Sequence, residues 1–190
     1  MDQQALTGGF TAPPQQSAHA FRAALNAMAR PGTIEHISGG SAPAPVSPAA
    51  ATLLLTLADG ETPIYLAPGH NNAAMRDWVA FHLGAPLCDR AQAVFALGDW
   101  DALLPLSDYP IGTAEYPDRN TTLIVEMPAL AAQGAMLSGP GIQDKALISL
   151  PEITAFQANH ALFPQGLDFY FTAGTQVAAL PRSTRVSEGK

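Results

Sequence analysis

Residues 17–34 of the chain read Ser-Ala-His-Ala-Phe-Arg-Ala-Ala-Leu-Asn-Ala-Met-Ala-Arg-Pro-Gly-Thr-Ile, an alanine-rich segment that ends in Arg-Pro-Gly and two further residues. Phe21, Leu25 and Met28 stand at positions i, i+4 and i+7, a spacing that places side chains on one face of an α-helix. The pattern therefore predicts an amphipathic helix over residues 17–30, with these three side chains on its apolar face.

The end of this helix is defined by proline and glycine. Pro31 disfavours helical backbone at the residue before it and cannot continue a helix, and Gly32 permits a turn. Arg30 is therefore expected at the carbonyl end of the helix, where the helix dipole favours a cation. The arginine has two interpretations: it fixes a helix end and a chain turn, or it binds an anion.

Composition indicates a single domain that works as part of an assembly. A chain of 190 residues is the usual size of one domain, here divided into an arm over 1–16, an α/β domain over 17–186 and a flexible tail over 187–190. Hydrophobic residues make up 47% of the chain and charged residues 13%, about half the usual ~25%. So few charges leave much of the surface apolar, which suits a subunit.

Charge and cysteine content exclude several classes of protein. The net charge of −7 and the near absence of lysine argue against a nucleic-acid partner, because binding there requires many contacts from Lys and Arg to phosphate. Cys88, the single cysteine, excludes an intrachain disulfide and a cysteine-rich zinc site. It is expected to be a small buried or half-buried hydrophobe in a reducing cytoplasm. No stretch is apolar enough to predict a membrane span, and Met1–Gln4 does not begin a signal peptide.

Strands and helices alternate along the rest of the chain, which is typical of a layered α/β fold with a mixed sheet. Ser47 and Pro48 mark the start of a buried helix as its cap and first helical residue. The body of this helix spans residues 49–58. Further helices are predicted over 71–83, 99–104 and 151–162. Strands are predicted over 64–67, 93–97, 121–127, 134–138, 145–150, 168–172 and 177–180.

The known patterns of catalytic and cofactor sites are missing from the sequence. No histidine is paired with another histidine or a cysteine at helical spacing, so no metal site is expected. There is no Gly-x-Ser-x-Gly elbow, no phosphate-binding loop and no dinucleotide-binding glycine motif. Schiff-base chemistry would depend on Lys145 alone, because Lys190 is the terminal residue. Asp59 and Glu61 could act as an acid and base pair or could solvate the turn between them.

Four arginines are the candidate anion-binding residues. Arg182 and Arg185 flank two hydroxyl residues, and Arg22 and Arg30 stand two turns apart on one predicted helix. The glycine-rich turn Gly139-Pro140-Gly141 could add backbone amides to such a site. The alternatives are a basic tail or a subunit contact for the arginines and an ordinary tight turn for the glycines.

Seven stretches in order along residues 15–186 carry a family resemblance. They are Phe21-Arg22 with Met28-Ala29-Arg30-Pro31-Gly32; Leu53-Leu54-Leu55-Thr56-Leu57-Ala58-Asp59-Gly60-Glu61-Thr62-Pro63; Phe81-His82-Leu83-Gly84-Ala85-Pro86; Gly112 to Thr122 with Tyr116-Pro117-Asp118; Leu137-Ser138-Gly139-Pro140-Gly141-Ile142; Asn159 with Phe163-Pro164-Gln165-Gly166-Leu167-Asp168; and Leu180-Pro181-Arg182-Ser183-Thr184. Together they resemble the family of H subunits of the bacterial carbon–phosphorus lyase complex, the PhnH family. Asn120-Thr121-Thr122 departs slightly from the Ser/Ala-Thr of that pattern.

The resemblance implies a fold and a set of partners. It implies a three-layer α/β/α sandwich with a mixed sheet, like that of pyridoxal-phosphate-dependent transferases but without the cofactor. It also implies a homodimer that joins the G, I and J subunits. With G, I and L, the family is needed to form ribose 1-phosphonate 5-triphosphate from ATP and a phosphonate, releasing adenine. The family has no agreed catalytic residues, so the resemblance assigns none to this sequence.

Three hypotheses follow for the function. The first is an accessory or structural subunit of the cytoplasmic phosphonate-activating complex, with no cofactor and no metal of its own. The second is a nucleotide- or phosphonate-binding subunit that contributes directly to catalysis through Arg22, Arg30, Arg182 and Arg185. The third is an active pyridoxal enzyme, which would show the visible absorbance band of its cofactor.

Overall fold

A computed structural model describes residues 6–189, and a six-stranded sheet lies at its centre. The helices in this range are α1 Pro13–Ala29, α2 Pro48–Leu57, α3 Ala73–His82, α4 Trp100–Leu103 and α5 Thr154–His160. The strands are β1 Glu35–His36, β2 Ile64–Leu66, β3 Phe95–Asp99, β4 Thr122–Glu126, β5 Ala135–Ser138, β6 Ala146–Ile148, β7 Asp168–Ala173, β8 Gln176–Leu180 and β9 Arg185–Ser187.

The central sheet has the order β1-β8-β7-β4-β3-β2. Strands β2, β3, β4 and β7 are parallel, whereas β8 pairs antiparallel with β7 and β1 pairs antiparallel with β8. This arrangement confirms the predicted α/β class and the mixed sheet. It also defines two edges, one where the four parallel strands begin and one where they end.

Both faces of the central sheet are covered, as the apolar sequences of β4 and β7 require. Ile124 and Tyr170 pack on one face with α1, α2 and α3, and Leu123, Phe169 and Phe171 pack on the other. The second face is covered by α4 and α5 together with a three-stranded antiparallel sheet of order β6-β5-β9. This layer is therefore more mixed than the helical layer implied by the family resemblance.

Helix α1 begins at Pro13, four residues before the predicted start, and so includes part of the predicted arm. It packs against α2 and β8 through its alanines, of which Ala20, Ala24 and Ala27 are buried. Such small side chains let two helices approach closely. The predicted apolar row points the other way: Phe21 is 51% exposed and Leu25 is 55% exposed.

The Arg-Pro-Gly stop ends α1 as predicted, with Arg30 outside the helical region of backbone angles. The turn after β5 packs against this end. A β-carbon at Gly141 would overlap the carbonyl oxygen of Ala29 and lie 3.3 Å from the ring of Pro31. The first and fifth stretches of the family pattern therefore meet as a packing junction.

The other predicted elements are confirmed with shifts of a few residues at their ends. Ser47 caps α2, since its Oγ accepts a hydrogen bond of 3.1 Å from the backbone of Ala50. The paired segments around the glycine turn form β5 and β6. Strands β1 and β9 lie in segments for which no strand was predicted. Residues 1–5 of the predicted arm and Lys190 of the predicted tail lie outside the described residues.

No helix in the described part of the chain combines the length and the apolar character needed to cross a membrane.

Candidate functional site

A groove of about 490 Å³ lies where β3, β4 and β7 begin, and we call it the amino-end groove. Phe95, Thr122 and Asp168, the first residues of these three strands, lie along it. Its remaining lining residues are Met28, Leu57, Phe163, Tyr170, Pro181, Arg182 and Ser183. The groove therefore combines apolar side chains from α1 and α2 with a polar wall from β7 and the segment after β8.

The polar wall is held by Arg182 and Asp168. The backbone N–H of Arg182 donates to Oδ1 of Asp168 at 2.9 Å, and its guanidinium lies 3.4 Å from Oδ2. Asn120 donates to the same Oδ2 at 3.0 Å, and the guanidinium also donates to the carbonyl of Gly166 at 3.3 Å. The charge of Arg182 is therefore compensated within the chain.

The other candidate arginines lie at separate positions. Arg22 lines a different groove of about 400 Å³, where Asn26 forms a hydrogen bond with Glu35. Arg30 is exposed at the end of α1, and Arg185 is exposed on β9. The four arginines predicted to bind an anion therefore do not form one cluster in the structure.

The glycine turn at residues 139–141 lies against the end of α1 and against the segment that follows β8. Gly141 packs on the end of α1, and a β-carbon at Gly139 would lie 3.3 Å from the carbonyl oxygen of Ser183. The helix stop, the turn and the segment of Arg182 and Ser183 therefore adjoin one another beside the amino-end groove.

A second polar cluster, at the opposite edge of the sheet, was not predicted from the sequence. His70 follows β2 and is 1% exposed, and neither ring nitrogen has a hydrogen-bond partner within the described residues. Glu126 ends β4; its Oε1 accepts from the backbone N–H of Ser47 at 2.6 Å and its Oε2 from the hydroxyl of Thr172 at 3.0 Å. The carboxylate joins β4, β7 and the start of α2.

Burial raises the pKa of the Glu126 carboxyl above its ordinary value, while hydrogen bonds from Ser47 and Thr172 and the nearby His70 act in the opposite direction. A carboxyl with a raised pKa binds its proton more tightly in the folded state. Its contribution to stability is therefore greatest below the unfolded-state pKa and is lost as the pH rises through the folded-state pKa.

We predict from this that Glu126→Gln gains stability relative to the wild type as the pH rises above 4.5, the ordinary pKa of the group. Glutamine stays neutral and can still accept the Ser47 hydrogen bond, so it lacks the ionisation that penalises the wild type. Urea unfolding of both proteins at a series of pH values measures the difference. A difference that does not change with pH would contradict the prediction.

Cys88 and Asp59, which were considered as catalytic residues from the sequence, lie in surroundings that give them structural roles. The Cys88 thiol is half-buried against the apolar side chains on the second face of the central sheet. Burial together with the charge of Asp89 raises its pKa, so it is not activated as a nucleophile. Asp59 accepts hydrogen bonds from the backbone of Glu61 and the hydroxyl of Thr62, which lower its pKa and organise the turn.

Within residues 6–189, no group of three or more His, Cys, Asp or Glu side chains has the arrangement of a metal site.

Comparison with known proteins gives consistent matches along almost the whole chain. The family model described as bacterial phosphonate metabolism protein (PhnH) matches residues 8–187. The chain is 38% identical over 192 residues to the alpha-D-ribose 1-methylphosphonate 5-triphosphate synthase subunit PhnH of Rhizobium meliloti strain 1021, and the match covers 96% of each protein. It is 28% identical to HtxG of Stutzerimonas stutzeri, provisionally described as a C-P lyase subunit, over 94% of this chain and 88% of that protein.

Proposed function

The chain belongs to the PhnH family of bacterial phosphonate metabolism proteins, and on this basis we propose that it is a subunit of the carbon–phosphorus lyase system. With partner subunits it serves to form ribose 1-phosphonate 5-triphosphate from ATP and an alkylphosphonate. The 38% identity to a synthase subunit over 96% of both chains carries the proposal. The role of the chain in the complex is accessory or structural.

The surroundings of the polar side chains support a structural role. Arg182, in the wall of the amino-end groove, forms an ion pair with Asp168. Glu126 is used to join two strands to α2, and His70 is buried. Lys145, the one lysine among the described residues, is exposed in the segment before β6 and does not line the amino-end groove.

The finer features implied by the resemblance form part of this proposal. We propose a three-layer fold like that of pyridoxal-phosphate-dependent transferases, used without the cofactor. We also propose a homodimer that assembles with the G, I and J subunits and cooperates with L in the cytoplasm. The low content of charged residues and the exposed apolar side chains of α1 and Phe163 support a role within an assembly.

Growth on a phosphonate as the sole phosphorus source tests the proposal. Deleting the gene is expected to abolish growth on methylphosphonate while leaving growth on inorganic phosphate unchanged, and the wild-type gene supplied in trans should restore it. The matched control is a strain in which the gene of the I subunit is deleted, which should show the same phenotype. Growth of the deletion strain at the wild-type rate on methylphosphonate would refute the proposal.

The second candidate function is a nucleotide- or phosphonate-binding subunit. The convergence of the α1 end, the glycine turn and Arg182 beside the amino-end groove favours it. Titration calorimetry with ATP and methylphosphonate at millimolar concentration distinguishes the two functions. Binding heat that disappears in Arg182→Ala would support the second function, and the absence of heat with the folded wild type would argue against it.

A further inference from the structure

Helix α1 presents its larger side chains to the outside. Phe21 and Leu25, both more than half exposed, follow one another at helical spacing, and Met28 continues the row into the amino-end groove. Phe163, 57% exposed, also lines that groove. We call these four apolar side chains the α1 surface.

Exposed cations flank the apolar side chains of α1. Helix α1 contains no aspartate or glutamate, and the exposed Arg22 and Arg30 form no ion pair with any described residue. The carboxylates that line the two grooves beside α1 have partners within the chain: Glu35 forms a hydrogen bond with Asn26, and Asp168 contacts Asn120 and Arg182. The α1 surface is therefore apolar and flanked by free cations, on a chain whose net charge is −7.

We infer that the α1 surface is the docking site for an acidic amphipathic segment of a different subunit, an inference that rests on the proposed function. The apolar side chains of that segment would cover Phe21 and Leu25 and enter the amino-end groove, and its carboxylates would pair with Arg22 and Arg30. A second copy of this chain fits less well. A two-fold interface pairs the same surface on both copies. The α1 helix of a second copy carries no carboxylate that could pair with Arg22 and Arg30.

Co-purification with the G, I and J subunits tests the inference. The tagged chain is co-expressed with these subunits as the wild type, as Phe21→Ser/Leu25→Ser and as Arg22→Glu/Arg30→Glu. The Phe21→Ser/Leu25→Ser variant is expected to lower capture about tenfold or more, because a few central residues carry most of the energy of an interface. The Arg22→Glu/Arg30→Glu variant should lower it to a similar extent, because it places like charges opposite each other. Both variants should keep the wild-type melting temperature, since the altered side chains are exposed.

Two controls match the variants in chemistry but lie elsewhere. Phe81→Ser removes a 54% exposed phenylalanine from α3, and Arg76→Glu/Arg119→Glu reverses two other exposed arginines. Both controls should capture the partners as the wild type does. In addition, wild-type capture should weaken as salt is raised from about 0.05 to about 0.5 M, because the pairing charges are exposed at the rim of the interface.

The outcomes separate the inference from the proposed function. Wild-type capture by both α1 variants, or equal loss in the Phe81→Ser control, would overturn the docking site and leave the proposed function standing. A Phe21→Ser/Leu25→Ser variant that loses only its homodimer in size-exclusion chromatography would identify a second copy as the occupant and also overturn it. Failure of the wild type to capture any of the three subunits would refute the proposed assembly itself.

Discussion

Gly141→Ala is expected to lower the free energy of unfolding by about 3 kcal/mol or more, whereas Gly174→Ala should cost only about 1 kcal/mol. Both glycines have positive φ angles, +79° and +58°, which side-chain-bearing residues adopt at a cost. They differ in the space around them. A β-carbon at Gly174 meets nothing within 4 Å, whereas one at Gly141 overlaps the backbone of Ala29.

The comparison isolates the junction between the end of α1 and the turn after β5. Backbone atoms cannot yield as a flexible side chain does, so the two segments must separate in Gly141→Ala. Urea unfolding monitored by the fluorescence of the buried Trp78 and Trp100 measures both variants against the wild type. Equal small costs for the two substitutions would show that the junction is looser than the structure indicates.

The same variants bear on the anion-binding hypothesis for this turn. If the backbone N–H groups of Gly139 and Gly141 bind a phosphate or phosphonate, millimolar inorganic phosphate should raise the melting temperature of the wild type and not of Gly141→Ala. If the turn serves only packing, phosphate should shift neither protein relative to chloride of equal ionic strength.

The sequence predicted the elements whose causes are local. The α1 stop follows from Pro31, and the α2 start follows from Ser47 and Pro48, because caps and prolines act within a few residues. The parallel strands were recognisable because both faces are buried, which produces apolar runs such as that of β4. Each of these signals is contained in the segment that it shapes.

Features that depend on distant partners were not predictable. The spacing of Phe21, Leu25 and Met28 identified a shared face, but which face of α1 packs inward is decided by the close approach of α2 to the alanines. Strand β9 forms only because β5 offers it an edge. Glu126 and His70 showed no motif, because the residues around them come from strands and helices far apart in the chain.

Asn159 is the second residue whose replacement should have a large effect. It is buried in α5; its amide donates to the carbonyl of Leu167 at 2.9 Å, and its Oδ1 accepts from the backbone N–H of the same residue at 2.7 Å. Asn159→Ala leaves both buried backbone groups without a partner. Because each unsatisfied group costs about 1–3 kcal/mol, we expect a loss of about 3 kcal/mol or more, and a melting temperature lower by about 6–12 °C.

The control for Asn159→Ala is Gln157→Ala on the same helix. The Gln157 amide also donates to a backbone carbonyl, that of Val186 at 3.1 Å, but its side chain is exposed, so water can replace the hydrogen bond. Its loss should cost less than about 1 kcal/mol. Equal effects of the two substitutions would indicate that α5 matters as a whole and that the pairing of Asn159 with Leu167 does not.

Asn159→Asp separates the hydrogen bonds from the packing, because aspartate has nearly the same shape. When ionised it keeps the acceptor for the Leu167 N–H but points a carboxylate oxygen at the Leu167 carbonyl; when protonated it can donate to that carbonyl. Burial should raise the pKa of the new carboxyl above its unfolded value of about 3.9. The variant should therefore lie closest to the wild type below that pH and fall further behind as the pH rises through the folded-state pKa. Unfolding free energies of both proteins across this range give the difference, and a constant deficit would show that the cost of the substitution is steric.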